Sequence, residues 1–520
     1  MSTTTSASDR GPDRSDQVRG RYAGTAVALG LAALLAAGLL AGGRSGQGPA
    51  VAQEAGGDTS EPLREAVAGG TLPELGWPDR NDDREAVQRF YEARGFAPAW
   101  SRGGVPTRQA LAVLQRLEES GDLGLSPGDY GAPGWRERLA GLRAAGRPPP
   151  AEVARLDLTL TAALMRYASD LERGRVDPRC LGLYLDGGVQ PALAREPGGA
   201  GGLDLAALAA ELAQAAYPPA RLAALEPPFP GYRRLLAALA RQRELAGSDP
   251  EGAGRASQIE LTLERWRWAP RELERPPVVV NVPEFRLRAY DGAGRVAFTT
   301  EVVVGQACGL QTPIFAAAID AVILRPAWYV PTSIARGEIV PVARRDPGYL
   351  ARKGYQILGH EGQAPTPELL SAVASGALRL RQKPGSGNAL GLIKLRIPSR
   401  YDVHLHDTPA PALFAEPRRD FSHGCIRVAD PAGLAAWVLR DVPGWDRERI
   451  ERAMHGPRDE LTVLLDPPNP VLIAYATVVA PEEGEVRFFE DLYGHDQRLR
   501  EALDRGRPYP ALGACGGGSG

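Results

Sequence analysis

Between Leu75 and about Gly247 the apolar positions recur three or four residues apart; beyond Pro277 they alternate. The first pattern predicts helices. Asp82 and Asp83 precede REAVQRFYEARG, which puts Val87, Phe90 and Tyr91 on one face and stops at Gly95. Arg108 to near Gly121, Ala151–Arg173 (closed by Gly174), Leu203–Ala216 and Tyr232–Ala246 repeat the form. Joints such as Pro197-Gly-Gly-Ala-Gly-Gly202 and Pro227-Pro-Phe-Pro-Gly231 separate them. The second pattern predicts strands. Pro277–Gly305 has hairpin character, with a turn at Asp291–Gly294. Further strands are expected at Ala318–Leu324, Ala389–Arg396, Tyr401–Leu405, Val471–Ala480 and Glu485–Phe489, with helices at Ala432–Arg440 and Asp491–Asp504. Helices first and strands afterwards predict an α+β chain. An all-helical scaffold domain is expected over 74–257, a strand-rich domain over 258–508 and a disordered tail over 509–520.

Composition narrows the partners. The 520 residues suffice for several domains and a sizeable core. With 61 Lys+Arg against 63 Asp+Glu the net charge is −2, so no nucleic-acid partner is expected. Cys180, Cys308, Cys425 and Cys515 show no CxxC spacing and make neither a zinc-finger pattern nor a dense disulfide framework. A Cys180–Cys308 bridge stays open.

The N-terminus carries an address. Residues 1–21 are polar, with Arg10, Arg14, Arg19 and Arg21, and are expected to stay in the cytoplasm. The uncharged run Tyr22–Gly43 has the length of about twenty residues that spans a bilayer. It predicts a membrane anchor or a signal segment, since Ala50-Val51-Ala52 has a small-x-small cleavage pattern. Both readings export the rest of the chain. Residues 44–73 predict a flexible linker with little to bury.

The chemistry concentrates in His404–Val428, HLHDTPAPALFAEPRRDFSHGCIRV, which holds three of the six histidines and one of the four cysteines. A cysteine nucleophile needs a base, positive surroundings for its thiolate and donors for an oxyanion. His406 can take the thiol proton, Gly424 leaves backbone N–H groups open beside Cys425, and Arg427 adds charge. His404 and His406 share a strand face.

HDT, a spacer and then SHGCIRV resemble the signature of the L,D-transpeptidases with a YkuD-type catalytic domain. FYEARGFAPAW, LGLSPGDY and RYASDLERGRVDP are similar to the scaffold of their larger, YcbB-like branch, and TPIF, PAWYVP and PGSGNALG follow in family order. The chain departs from that branch by lacking a peptidoglycan-binding module, since only Ser248–Ser257 separates the last scaffold helix from QIELTLERWRW.

The resemblance implies a mixed β-sandwich catalytic domain with a helical capping insertion at 332–383. It implies Cys425 as nucleophile, His406 as general base and acid, and the Asp407 carbonyl as the group that orients His406. The N–H groups of Gly424 and Cys425 would hold the oxyanion. His423 would shape the loop, and Arg427 would stabilise thiolate or fix the loop. Trp328, Asn388, Tyr401 and His404 are the substrate-binding candidates. No cofactor or metal is expected. The implied partners are peptidoglycan stem peptides, as acyl donor and acceptor, and the inner membrane through residues 22–43. The implied location is the periplasm, anchored or released after cleavage near Ala52. Three rivals stay open: a wall hydrolase using water as acceptor, a zinc site built from His404, His406, His423 and Cys425, and a non-catalytic wall-binding protein.

Overall fold

The computed structural model describes residues 58–79, 82–145, 148–183, 202–246, 249–271, 273 and 275–510. The N-terminus expected in the cytoplasm, the segment at 22–43 and the cleavage pattern at Ala52 lie outside the described residues. Among the described residues no helix is long and apolar enough to cross a membrane.

Among the described residues nine helices form the N-terminal part: α1 (Ser60–Gly69), α2 (Arg84–Ala93), α3 (Arg108–Glu118), α4 (Ala132–Ala144), α5 (Pro150–Arg173), α6 (Leu205–Leu212), α7 (Pro218–Ala223), α8 (Pro230–Ala246) and α9 (Pro250–Trp268). Helix α5 is the axis, buried along nearly its whole length. Its one acidic group in the middle, Asp157, is satisfied by Tyr91 Oη (2.9 Å) and by the N–H groups of Ala99 (2.9 Å) and Trp100 (2.8 Å). A buried carboxylate is tolerated only with such donors.

Two expectations are corrected here. The linker assigned to 44–73 is helical from Ser60, because Leu63 and Val67, four residues apart, bury one short stripe in the scaffold core and Gly70 caps the end in the left-handed region. The boundary set at 257/258 falls inside α9. Asp249 accepts from the N–H groups of Glu251 and Gly252, Pro250 opens the helix, and the presumed joint is its first half.

The second part is a mixed sheet whose strands we number β1 (Val278–Asn281), β2 (Arg286–Tyr290), β3 (Val296–Gly305), β4 (Phe315–Leu324), β5 (Ile393–Arg396), β6 (Leu405–His406), β7 (Asp420–Ser422), β8 (Ile426–Val428) and β9 (Leu461–Ala474). The order is β7-β3-β8-β6-β5-β4-β9-β1-β2, and β2 also pairs with β3, so eight strands close on themselves with β7 attached outside. The expected hairpin over 277–305 is thus three strands, since the chain turns once more between Asn281 and Arg286. Val302, Val304, Val322, Leu395, Leu405, Ile426 and Val428 fill the interior with Leu434 and Val438 of the helix Pro431–Val438.

Residues 328–382 form a small body with its own core, including Ile339, Val340, Leu370 and Leu380, and its own three-stranded sheet. The C-terminal segment returns to the scaffold: Tyr509 is buried and its hydroxyl donates to Asp129 Oδ2 at 2.8 Å. The tail expected from 509 is therefore ordered at Tyr509 and Pro510. Cys308 is a free thiol, so no Cys180–Cys308 bridge forms.

Candidate active site

Strand register assembles the site. Across the parallel β6–β8 pair Leu405 lies opposite Ile426 and His406 opposite Arg427; across the antiparallel β5–β6 pair Leu395 lies opposite Leu405 and Lys394 opposite His406. Side chains alternate along a strand. Leu395, Leu405 and Ile426 enter the core, so Lys394, His406 and Arg427 line up on the other face. Cys425, two residues before Arg427, shares that face and is the diagonal neighbour of His406.

The loop before β8 is held from both sides. Ser422 Oγ donates to the Cys425 carbonyl at 2.5 Å and accepts from the Gly424 N–H at 3.1 Å. Thr312 Oγ1 donates to the Gly424 carbonyl at 2.9 Å while accepting from the Gly305 N–H at 2.8 Å. Gly424 has φ +110°, a conformation that a side chain would oppose. These bonds narrow the expected oxyanion donors. The Gly424 N–H is spent on Ser422, whereas the Cys425 N–H makes no hydrogen bond among the described residues.

His406 is buried, and its Nδ1 lies 2.5 Å from the Asp407 carbonyl oxygen. A carbonyl only accepts, so Nδ1 carries the proton and Nε2 is left as the basic nitrogen. The Asp407 carboxylate is occupied by the N–H groups of Thr408 (2.7 Å) and Leu392 (2.8 Å). Gly391 lets it come this close, because a Cβ there would lie 2.4 Å from the carboxylate. Burial, then the charges of Arg427 and Lys394, bring the His406 pKa down to about 3, against the Asp407 bond that raises it. The resting imidazole is neutral.

Cys425 is half-exposed at its surface, yet packed deeply enough that burial pushes its thiol above the ordinary value of 9.0. The His404 backbone N–H, then Lys394 and Arg427, oppose that shift and Asp402 adds to it. The sulfur donates to the Asp402 carbonyl at 3.7 Å, not to His406. Asp402 holds that carbonyl in place with φ +51°, a left-handed conformation that Asp adopts more readily than most residues.

The remaining candidates separate. His404 has both nitrogens occupied: Nδ1 accepts from the Ile397 N–H at 3.1 Å and Nε2 faces Asp402 Oδ1 at 3.1 Å. It is a satisfied strut beside Cys425. Asn388 is buried with its amide spent on the carbonyls of Gln382 (3.3 Å) and Lys383 (2.9 Å) and on the Leu390 N–H (2.8 Å). Trp328 packs into the core of the 328–382 body, with the Tyr355 ring 6.4 Å away, and Tyr401 packs on Phe315 at 4.8 Å. The amide of Asn388 is thus used within its own loop, and the rings of Trp328 and Tyr401 pack against other aromatic rings. His423 Nε2 reaches Glu338 Oε1 of the 328–382 body at 2.5 Å, joining that body to the nucleophile loop. The Arg427 side chain makes no hydrogen bond or ion pair among the described residues, and its electrostatic neighbour is Cys425. Among the described residues no cluster of three or more His, Cys, Asp or Glu is arranged to hold a metal, and His404 has no nitrogen to give.

Sequence reading passed over Lys394, Asp402 and Thr312. The signal for Lys394 was its alternation with Ile393 and Leu395, which takes it off the core face; the other two depend on loop closure that spacing does not announce.

Comparison with known proteins agrees with this geometry. Residues 85–239 match the family of scaffold domains and residues 276–460 the family of L,D-transpeptidase catalytic domains. The Haemophilus influenzae protein named "Putative L,D-transpeptidase" is 29% identical over 228 residues, which is 43% of this chain and 45% of that one. The chain thus spans a little under half the length of the curated relative it matches. With a closed mixed sheet presenting the SHGC loop, residues 276–460 belong to the L,D-transpeptidase catalytic domain family, joined to a scaffold domain.

Proposed function

We propose that the chain is a peptidoglycan L,D-transpeptidase working through a cysteine acyl-enzyme. The observation that carries the reading is the pairing of β6 with β8, which sets an imidazole with a free Nε2 diagonally beside a cysteine on one sheet face. The thiol turns from the Asp402 carbonyl towards His406, and Nε2 takes its proton as sulfur attacks the amide carbon of a stem tetrapeptide. The Cys425 N–H faces the developing oxyanion. The C–N bond breaks, His406 returns the proton to the departing amine, and D-alanine leaves. An amine of a second stem then attacks the thioester, gives its proton to His406, and releases the sulfur as a crosslink forms.

A neutral pair at rest, with the thiol pKa raised and the imidazole lowered to about 3, favours proton transfer during attack over a preformed ion pair. The 328–382 body, tied to the loop through His423 and Glu338, would exclude water from the thioester. The reading places the chain at the wall, in the periplasm, with residues 22–43 as anchor or signal, and makes Cys425 a site of carbapenem acylation.

Incubation of the purified protein with disaccharide-tetrapeptide, followed by product masses, tests the reading. Crosslinked dimers with loss of D-alanine are expected. Tripeptides alone would instead mean a hydrolase, and no product from an intact protein would sink both.

A further inference from the structure

Only three of the 61 basic side chains are lysines, Lys353, Lys383 and Lys394, and the first two are exposed. Lys394 is different. It is half-buried on β5, in register with His406 on one side and Ile323 on the other, on the face that carries Cys425. Two residues along the same strand, Arg396 is engaged by Asp320 through two bonds of 2.7 and 2.9 Å. Lys394 forms no hydrogen bond or ion pair among the described residues; its electrostatic neighbours are Asp402, Cys425 and Arg396.

Lys394 has Asp402 as a standing anionic neighbour without a direct ion pair, and a second anion forming on Cys425 stabilises a half-desolvated cation further. The groups facing the sulfur are Lys394 from β5, Asp402 from the β5–β6 loop, His404 and His406 from β6 and Arg427 from its own strand. His404 is satisfied in its neutral form, and the Asp402 carboxylate is turned to His404. We propose that the Lys394 ammonium is the counter-ion of the Cys425 thiolate, a positioning residue that acts on the chemistry through the sulfur. This rests on Cys425 being the nucleophile. It adds that the main positive charge comes from β5, across β6 on the same sheet face, and not from Arg427 in the SHGCIR motif. Lys394 precedes Arg427 among the charges lowering the thiol pKa.

The test needs no peptidoglycan, so its failure is distinct from failure of the transpeptidase reading. The rate of iodoacetamide alkylation at Cys425 is followed by the mass of its peptide in the full chain, from pH 5 to 10. This resolves it from the free thiol of Cys308. K394M and K394Q are expected to move the midpoint up by about one pH unit and to slow alkylation at neutral pH about tenfold. K394R is expected to keep at least half of the difference, and R427Q to move the midpoint less than K394M. K394Q gives the same reading where K394M does not fold. Equal midpoints in the wild type and a folded neutral variant would overturn the proposal, as would a larger shift in R427Q.

Discussion

The scaffold and the catalytic sheet both bury cations, and they treat them in opposite ways. In the scaffold Arg166 is almost fully covered and bonded to Asp82 (2.9 Å) and to the carbonyls of Leu75 (2.8 Å) and Asp129 (2.9 Å). Arg507 returns from the C-terminus to Asp79 at 2.9 Å and to Asp170. Arg175 and Arg267 share Glu264, at 3.2 and 2.9 Å. On the sheet face Lys394 and Arg427 are half-buried and have no such partner among the described residues. A buried ion keeps its place only when paired, so pairing marks a structural charge. An unpaired one, beside a group that becomes an anion during reaction, marks a chemical one.

Cys425→Ala is expected to have the largest effect. It removes the anion that the unpaired cations serve, so acyl transfer should fall to background while the melting temperature stays near that of the wild type. Residual turnover in this variant would move the nucleophile elsewhere and end the distinction.

Glu264→Gln should do the reverse. It leaves Arg175 and Arg267 buried without a carboxylate, a loss of about 3–5 kcal/mol in denaturant unfolding. Lys394→Met, judged by the same titration, should cost nothing or stabilise, because it removes an unpaired charge. If both variants lost similar stability, the division between structural and chemical cations would not hold.

Acid should reveal the same division. Burial raises the Glu264 carboxyl, but Arg175 and Arg267 more than offset this and hold it below 4.5. Its stabilisation is present above that value and disappears as pH falls through the lowered one. His406 and His495, each brought to about 3 mainly by burial, bind protons in the unfolded chain near 6.5 but not in the fold. Stability should therefore decline from about pH 6.5 towards 3, earlier than carboxylates alone dictate. A flat stability curve between pH 6.5 and 5 would contradict the neutral burial of these two histidines.

What was legible before the fold was known follows from distance along the chain. The SHGCIRV loop is spelled by neighbours, and its partner strand carries His406 a short way upstream, so both could be read directly. The long stripe of α5 was equally plain. Helix α1 was passed over because Leu63 and Val67 are its whole buried face, set in a polar, Gly-rich stretch. Strand β6 is only Leu405 and His406, too short for alternation to define. The occupation of His404 by Ile397 and the place of Lys394 on the face of the sulfur depend on strand pairing. No window of sequence contains that information.

The smallest expected effect concerns the link between the sheet and the 328–382 body. Each has its own hydrophobic core, and the ion pair of His423 with Glu338 joins surfaces that are partly exposed, 32% and 56% at the two side chains. Such a pair is worth about 0.2–1 kcal/mol and is weakened by salt. Glu338→Gln should therefore change the rate of acyl transfer by less than about fivefold, with the difference from wild type shrinking as ionic strength rises. The ratio of hydrolysed to crosslinked product should rise slightly, since a looser cover admits water to the thioester. A loss well above tenfold that persisted in high salt would place Glu338 in the chemistry itself. The body around residues 328–382 would then be part of the active site, and its tie to the nucleophile loop would be more than a cover.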